Sequence, residues 1–283
     1  MNRNIKLVAL DLDGTFLNEK KEVTEGNRKA ILEASKVGVQ AVVSTGRPYT
    51  GFDVEDFLAM GMEYAITVNG AEIYRLADRK CMYEEGMDKL RACEIIDELK
   101  KFDIRIDVLV EGSGYGEKAA HSRIDEIGMP EVMRNYIRET RKLVDNLQDF
   151  IREKATTVPK ITLNFYLTEE GEYKDYEKVV KLLEGMEDIS FLSGGYHNLE
   201  ITKKGVNKGK SLRILAEMLG VDMKETMACG DSENDIDILK AAGIGVAMAN
   251  ASEVTKEAAD YVTLSNEEDG VAHAIYELVL RER

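Results

Sequence analysis

Proline, cysteine and histidine occur only three times each in the 283 residues, and tryptophan is absent. With so few prolines, and no Gly/Ser-rich stretch, any junctions between domains are expected to be short hinges rather than tethers. Cys81, Cys93 and Cys229 form neither a CxxC pair nor an even-numbered framework, which argues against a disulfide scaffold and fits a reducing compartment. His121, His197 and His273 lack metal-ligand spacing and none is assigned to catalysis. Basic residues are in deficit, 38 against 53 acidic ones, for a formal net charge of −15. Nucleic-acid backbones are held by basic surfaces, so no nucleic-acid partner is expected. A small anion can still bind where a cation or clustered donors screen the field. Long apolar runs are missing too. The run Leu7 to Leu10 after MNRNIK is too short for a signal-peptide core or a membrane span; a soluble cytoplasmic protein with no membrane partner is expected.

What is present fits two domains, since 283 residues suffice for two apolar cores. Leu7-Val-Ala-Leu10 is continuously apolar, as a strand buried on both faces of a parallel sheet would be. Thr24 is a plausible helix N-cap and Gly38 a stop, with Ala30, Ile31, Ala34 and Val37 at helical spacing between them. Ala41 to Val43 and Ala65 to Val68 repeat the strand pattern, ending at Asn69-Gly70, and strands alternating with helices imply right-handed crossovers in a parallel sheet. The texture changes near Met82. A helix near Lys89 to Lys101, a strand near Ile104 to Val110, a charged helical region from Glu117 to about Lys154 broken near Gly128-Met-Pro130, and an alternating strand Ile161 to Leu167 with one buried face follow. Gly112-Ser-Gly-Tyr-Gly116 reads as a flexible turn. The fold class is α/β: a parallel-sheet, Rossmann-like domain formed from residues 1–82 and 195–283, interrupted by an inserted α+β domain at 83–194.

In open α/β sheets ligands sit beyond the carboxyl ends of the strands. Those ends supply Asp11 and Asp13, then Thr45 and Gly46, then Gly230-Asp231-Ser232 with Asn234 and Asp235 behind. Several carboxylates meeting in one place repel unless a cation sits among them, and an all-oxygen set suits Mg²⁺. A carboxylate can also attack a phosphoryl group and split one hard displacement into two easier steps. The segment Gly205-Val-Asn-Lys-Gly-Lys-Ser211 imitates a nucleotide-binding P-loop but has three residues, not four, before its GK pair, and Lys204 stands where the glycine belongs. It opens the helical run Leu212, Leu215, Met218, Leu219, so its lysines sit near a helix N-terminus suited to an anion.

DLDGT at Asp11 to Thr15, STGR at Ser44 to Arg47, NKGK around Lys208 and GDSEND at Gly230 to Asp235, in this order, resemble the four motifs of the haloacid dehalogenase superfamily. NGA at Asn69 to Ala71 and the tail GVAMANA with SNEEDGV resemble its Cof-type (IIB) phosphatases. The resemblance implies a Mg²⁺-dependent phosphatase of a small phosphorylated metabolite, a sugar phosphate foremost, with a mobile αβ cap. By that resemblance Asp11 would be the nucleophile and Asp13 the acid and base. Thr45 with the Gly46 and Leu12 amides, Asn234 and Lys208 would hold the phosphate. Asp11, the Asp13 carbonyl and Asp231 would bind the metal, supported by Ser232, Asp235, Arg47 and Asn69. Lys208 rather than Lys210 is expected to act. A phosphomutase is the alternative, and a non-catalytic phospho-aspartate switch is disfavoured by the insertion and by Asp13. The substrate and the choice between monomer and homodimer are left open.

Overall fold

The computed structural model describes residues 4–193 and 197–281. The chain forms two compact units, one from residues up to Arg47, Asp53–Tyr83 and from Asn207 onward, the other from Pro48–Phe52 and Glu84–Val206.

The first unit is built on an eight-stranded sheet in the order Tyr261–Val262, Ile244–Ala247, Thr226–Gly230, Leu7–Leu10, Gln40–Ser44, Tyr64–Thr67, Glu72–Arg75, Lys80–Glu84. Its first six strands pair in parallel, and Glu72–Arg75 turns back antiparallel on Tyr64–Thr67. The apolar run Leu7–Leu10 is buried along its whole length, as expected of a strand covered on both faces. It sits at the centre of the sheet, with Leu10 level with Val43 on one side and Cys229 on the other, so the residues that follow all three strands emerge at one edge. Thr24 caps the helix Glu25–Lys36 by accepting from the Asn27 amide, and Gly38 follows in the left-handed region at φ 81°, where glycine carries no Cβ penalty. The helix Lys208–Leu219 is capped by Asn207. It packs Leu212 and Leu215, both fully buried, against Leu7, Ala9 and Ala228. Each such leucine contributes on the order of 1.5–3 kcal/mol, and Leu212→Ala would cost about 2–5 kcal/mol.

The second unit holds a six-stranded sheet in the order Ile189–Ser193, Leu199–Lys203, Lys160–Phe165, Ile104–Val110, Ser113–Glu117, Arg141–Val144. Helices Lys89–Leu99, Leu147–Lys154 and Tyr176–Glu184 bury Ile96, Ile151 and Leu183 in one apolar cluster with Ile106, Val108, Ile161 and Leu163.

Four sequence expectations are corrected. Glycine-rich Ser113–Glu117 is a strand, the turn being Glu111-Gly112 at φ 49° and 68°. The charged region after Glu117 is three α-helices, one 3-10 turn and a strand, Arg141–Val144, that pairs in parallel with Ser113–Glu117. Lys160–Phe165 is buried on both faces, not one. Leu199–Lys203 pairs with Ile189–Ser193 and Lys160–Phe165, so the first unit resumes at Asn207. The strand's alternation of Leu199 and Ile201 with Glu200 and Thr202 is the pattern of an antiparallel sheet rather than of a doubly covered strand. The boundary drawn at 194/195 lies outside the described residues.

Candidate active site

Asp11 is the first residue beyond the central strand, and its amide still donates to the Cys229 carbonyl at 3.0 Å. The chain then turns sharply: the Thr15 amide donates to Leu12 O and the Phe16 amide to Asp11 O. Gly14, at φ 83°, makes that turn, and a Cβ there would lie 2.4 Å from Asp231 Oδ2. A side chain at position 14 would therefore push the two acidic segments apart. Thr15 Oγ1 donates to Asp231 Oδ1 at 3.0 Å, and Asn250 Nδ2 to the Gly14 carbonyl at 2.8 Å.

Lys208, in the first turn of its helix, is fully buried. Its Nζ lies 2.7 Å from Asp11 Oδ1 and 2.7 Å from Asp235 Oδ1. The other Asp235 oxygen accepts the amides of Asp231 and Ser232 at 3.1 and 3.2 Å. Asp235 thus braces the loop that carries Asp231 while it orients the lysine. Lys210, the lysine of the P-loop imitation, has its backbone amide on the Asn207 cap.

Donor oxygens of Asp11, Asp231 and Asp235 all lie within 4.8 Å of one another. Burial is the main cause holding the Asp11 carboxyl well above the usual carboxylate range; Asp235 and Asp231 add to it against the opposing pull of Lys208. Burial, then Asp235, pushes Asp231 up to about 6. Burial alone would lower the Lys208 amine, but Asp11 and Asp235 reverse that and hold it above its ordinary value. Three converging carboxylates against one buried ammonium leave a negative excess, and a hard divalent cation fits such an all-oxygen donor set.

The carboxylate of Asp13 points elsewhere. Arg47 grips it through Nε at 2.7 Å and Nη2 at 2.6 Å, and Lys21 Nζ lies 2.8 Å from it. Burial would raise this carboxyl, but Arg47 and Lys21 outweigh it and hold it below its usual value. Thr45 and Gly46 follow the second strand. Thr45 is buried and its Oγ1 accepts the Arg47 amide at 3.1 Å, while its carbonyl accepts the Asn69 amide at 3.1 Å. Asn69, at φ 56°, accepts from Asn234 Nδ2 at 3.1 Å, and Ser232 Oγ donates to Asn234 Oδ1 at 2.7 Å. A Cβ on Gly46 would lie 2.7 Å from Asn69 Oδ1, so Thr45, Gly46, Asn69 and Asn234 pack as one rim.

All the residues singled out by the four motifs therefore belong to one edge of the first unit, with Leu12 fully buried behind it. Sequence reasoning missed Lys21, which sits in an undistinguished charged stretch at φ 64°, and Asn250, whose only signal was its place in the tail motif.

The chain matches the haloacid dehalogenase-like hydrolase family over residues 8–275. It is 31% identical over 282 residues to the 5-amino-6-(5-phospho-D-ribitylamino)uracil phosphatase YcsE of Bacillus subtilis, covering 98% of this chain and 97% of that one. Among solved structures, a haloacid dehalogenase-like hydrolase from B. subtilis superposes with a TM-score of 0.81 at 32% identity, covering 97% of this chain and 100% of that one. The subclass IIB sugar phosphatase BT4131 superposes with a TM-score of 0.75 at 25% identity over 96% of this chain and 98% of that one.

Proposed function

The chain belongs to the haloacid dehalogenase-like hydrolases, and from that premise we propose that it is a Mg²⁺-dependent phosphatase acting through an aspartyl-phosphate on a small polyhydroxylated phosphate ester. The observation that carries this reading is the buried pairing of Asp11 with Lys208 beside Asp231, at the carboxyl edge of the sheet.

Asp11 is the nucleophile. Its free oxygen attacks phosphorus in line, the bond to the ester oxygen breaks, and that oxygen takes a proton from Asp13 as the alcohol leaves. Asp13 then accepts a proton from the water that attacks the aspartyl-phosphate, releasing inorganic phosphate and restoring Asp11. Lys208 opposes the burial that raises the Asp11 carboxyl and faces the charge that spreads over the transferring group. Thr45 Oγ1 with the Gly46 and Leu12 amides cradles the phosphate, with Asn234 on the rim and Ser232, Asp235 and Asn69 as its support. Mg²⁺, held by Asp11, Asp231 and the Asp13 carbonyl, would neutralise phosphate oxygens. The clamp of Arg47 and Lys21 keeps Asp13 ionised, the form a base requires. Protonation for the acid step requires that clamp to loosen, and an arriving phosphate dianion competes for Arg47.

Support for the substrate class comes from two relatives of different specificity. One is named for a phosphoribityl compound and the other for sugar phosphates; both esters carry phosphate on a hydroxylated carbon chain. The test is phosphate release from p-nitrophenyl phosphate and from sugar and sugar-alcohol phosphates. Activity is expected with Mg²⁺, is lost on chelation, and falls about a thousandfold or more in Asp11→Asn with the fold retained. Turnover by Asp11→Asn near the wild-type rate would sink the covalent mechanism.

A further inference from the structure

The turn that follows Asp11 and Asp13 uses its amides locally: those of Thr15 and Leu17 donate to the Leu12 carbonyl, and that of Phe16 donates to the Asp11 carbonyl. Its own carbonyls are served from far off in sequence. Asn250 Nδ2 donates to Gly14 O at 2.8 Å, Asn27 Nδ2 to Phe16 O at 3.2 Å and Asn266 Nδ2 to Leu17 O at 3.0 Å. One of these asparagines stands in the helix Glu25–Lys36 and the other two near the end of the chain.

The other bonds of these amides fix which end faces the turn. Asn27 Oδ1 accepts the Ala272 amide at 2.9 Å, and Asn250 Oδ1 accepts the Asn266 amide at 3.1 Å. A backbone N–H only donates, so in both side chains the nitrogen is left for the carbonyl. The Asn250 bond to the Asn266 amide also ties two of the three together. The same late segment reaches the outer arm of the loop, where the Glu19 amide donates to Glu267 Oε1 at 2.6 Å and Thr24 Oγ1 donates to Asp269. Asn27, Asn266, Phe16 and Leu17 are buried, so a lost amide there leaves a carbonyl that needs another partner. Asn250 is exposed.

We propose that Asn27, Asn250 and Asn266 are positioning residues for Asp13: by clamping the turn Gly14–Leu17 they hold the residue before it where its carboxyl meets the leaving oxygen of the ester. They act through the turn and not on the substrate. The role given to Asp13 rests on the phosphatase reading; the clamp on the turn is independent of it. Misplacing an acid has a particular kinetic signature. Nitrophenolate leaves with little help because its charge spreads into the ring, whereas an alkoxide needs its proton as the bond to phosphorus breaks. Because kcat/KM covers the steps up to departure of the alcohol and is blind to the later attack of water, a displaced Asp13 lowers it more for an alkyl ester than for p-nitrophenyl phosphate.

The test uses the full chain, Asn250→Ala at the surface and Asn266→Ala in the interior. Amide hydrogen exchange over Asp11–Leu17 should quicken by about tenfold in each variant, the effect of one lost hydrogen bond, while the strands Gln40–Ser44 and Thr226–Gly230 keep wild-type rates. In parallel, the ratio of kcat/KM for the sugar-alcohol phosphate turned over fastest to that for p-nitrophenyl phosphate should fall by about tenfold or more. A purely structural role quickens exchange in all three segments and lowers both activities together, leaving the ratio unmoved. That result overturns the proposal, as does a ratio that moves less than about twofold, or exchange over Asp11–Leu17 unchanged in Asn250→Ala. Should Asn266→Ala fail to fold, Asn250→Ala decides alone. A wild type that hydrolyses neither ester strikes the phosphatase reading instead, and the exchange arm still decides whether the asparagines clamp the turn.

Discussion

Lys208 has no exposure and two carboxylates on its amine. Removing one partner of a buried ion pair leaves the other uncompensated, at about 3–5 kcal/mol. Lys208→Ala should lower the unfolding midpoint by a matching amount and cut phosphate release by about a hundredfold or more. Lys210→Ala should stay within about threefold of wild type. The reverse ranking, measured on the same preparations, would show that the lysines are misassigned. The cysteines separate by the same argument from burial. Burial, with Asp235 second, pushes the Cys229 thiol up to about 12, burial also raises Cys93, and Cys81 is exposed. Because the thiolate is the reactive form, a thiol reagent at pH 8 should label Cys81 alone in the native protein and all three cysteines after denaturation. Native labelling of Cys229 would contradict its burial in the strand Thr226–Gly230.

Between the strand Tyr64–Thr67 and the helix Lys208–Leu219, a short turn does work that no single side chain does. Val68-Asn69-Gly70 carries positive φ at each residue, and Gly70, at φ 95°, would place a Cβ 2.3 Å from the Asn207 carbonyl oxygen. Ser211 Oγ donates back to the Gly70 carbonyl, so the turn seats the first turn of the helix that holds Lys208. Gly70→Ala should therefore cost about 3 kcal/mol or more and lower kcat through displacement of the lysine. Gly205, at φ 84° with nothing near its absent Cβ, should accept Asn for under about 1 kcal/mol. Thermal melts of the two variants give the comparison, and a mild Gly70→Ala would remove the turn from the account. Elements of this unit were readable because continuous apolar runs such as Leu7–Leu10 mark doubly covered parallel strands, and because Thr24 and Gly38 mark helix ends chemically. The inserted unit was less readable for a physical reason. Gly114 and Gly116 look like turn residues, yet they serve as a floor for side chains of Arg105 and Asp107 on the preceding strand and of Arg141 on a later one. The charged string Arg141–Val144 becomes a strand only because Ser113–Glu117 lies alongside it. Likewise the grip of Arg47 and Lys21 on Asp13 depends on how the loop after Gly14 folds, which no spacing rule states.

At the scale of the whole chain, the formal net charge of −15 and the cluster of Asp11, Asp231 and Asp235 make the protein sensitive to cations and pH together. Asp231 has a folded-state pKa of about 6 against an ordinary 3.8, and Asp11 is raised as well. A raised carboxyl favours the folded state while it is protonated, so this contribution is full below the ordinary value and is lost as pH rises through about 6. The metal-free protein should lose stability from this source between pH 5 and pH 7. Mg²⁺ competes with the proton for the same oxygens, so its stabilisation should be larger at pH 7 than at pH 5. At a hundredfold excess over Kd it amounts to about 2.7 kcal/mol. The measurement is the Mg²⁺-dependent shift in unfolding midpoint at the two pH values, matched in ionic strength with NaCl so that general screening of the net charge cancels. Asp231→Asn should abolish most of the pH 7 increment. An increment equal at both pH values, or unchanged in Asp231→Asn, would mean that the ion acts on the general field of the acidic surface and not among these carboxylates.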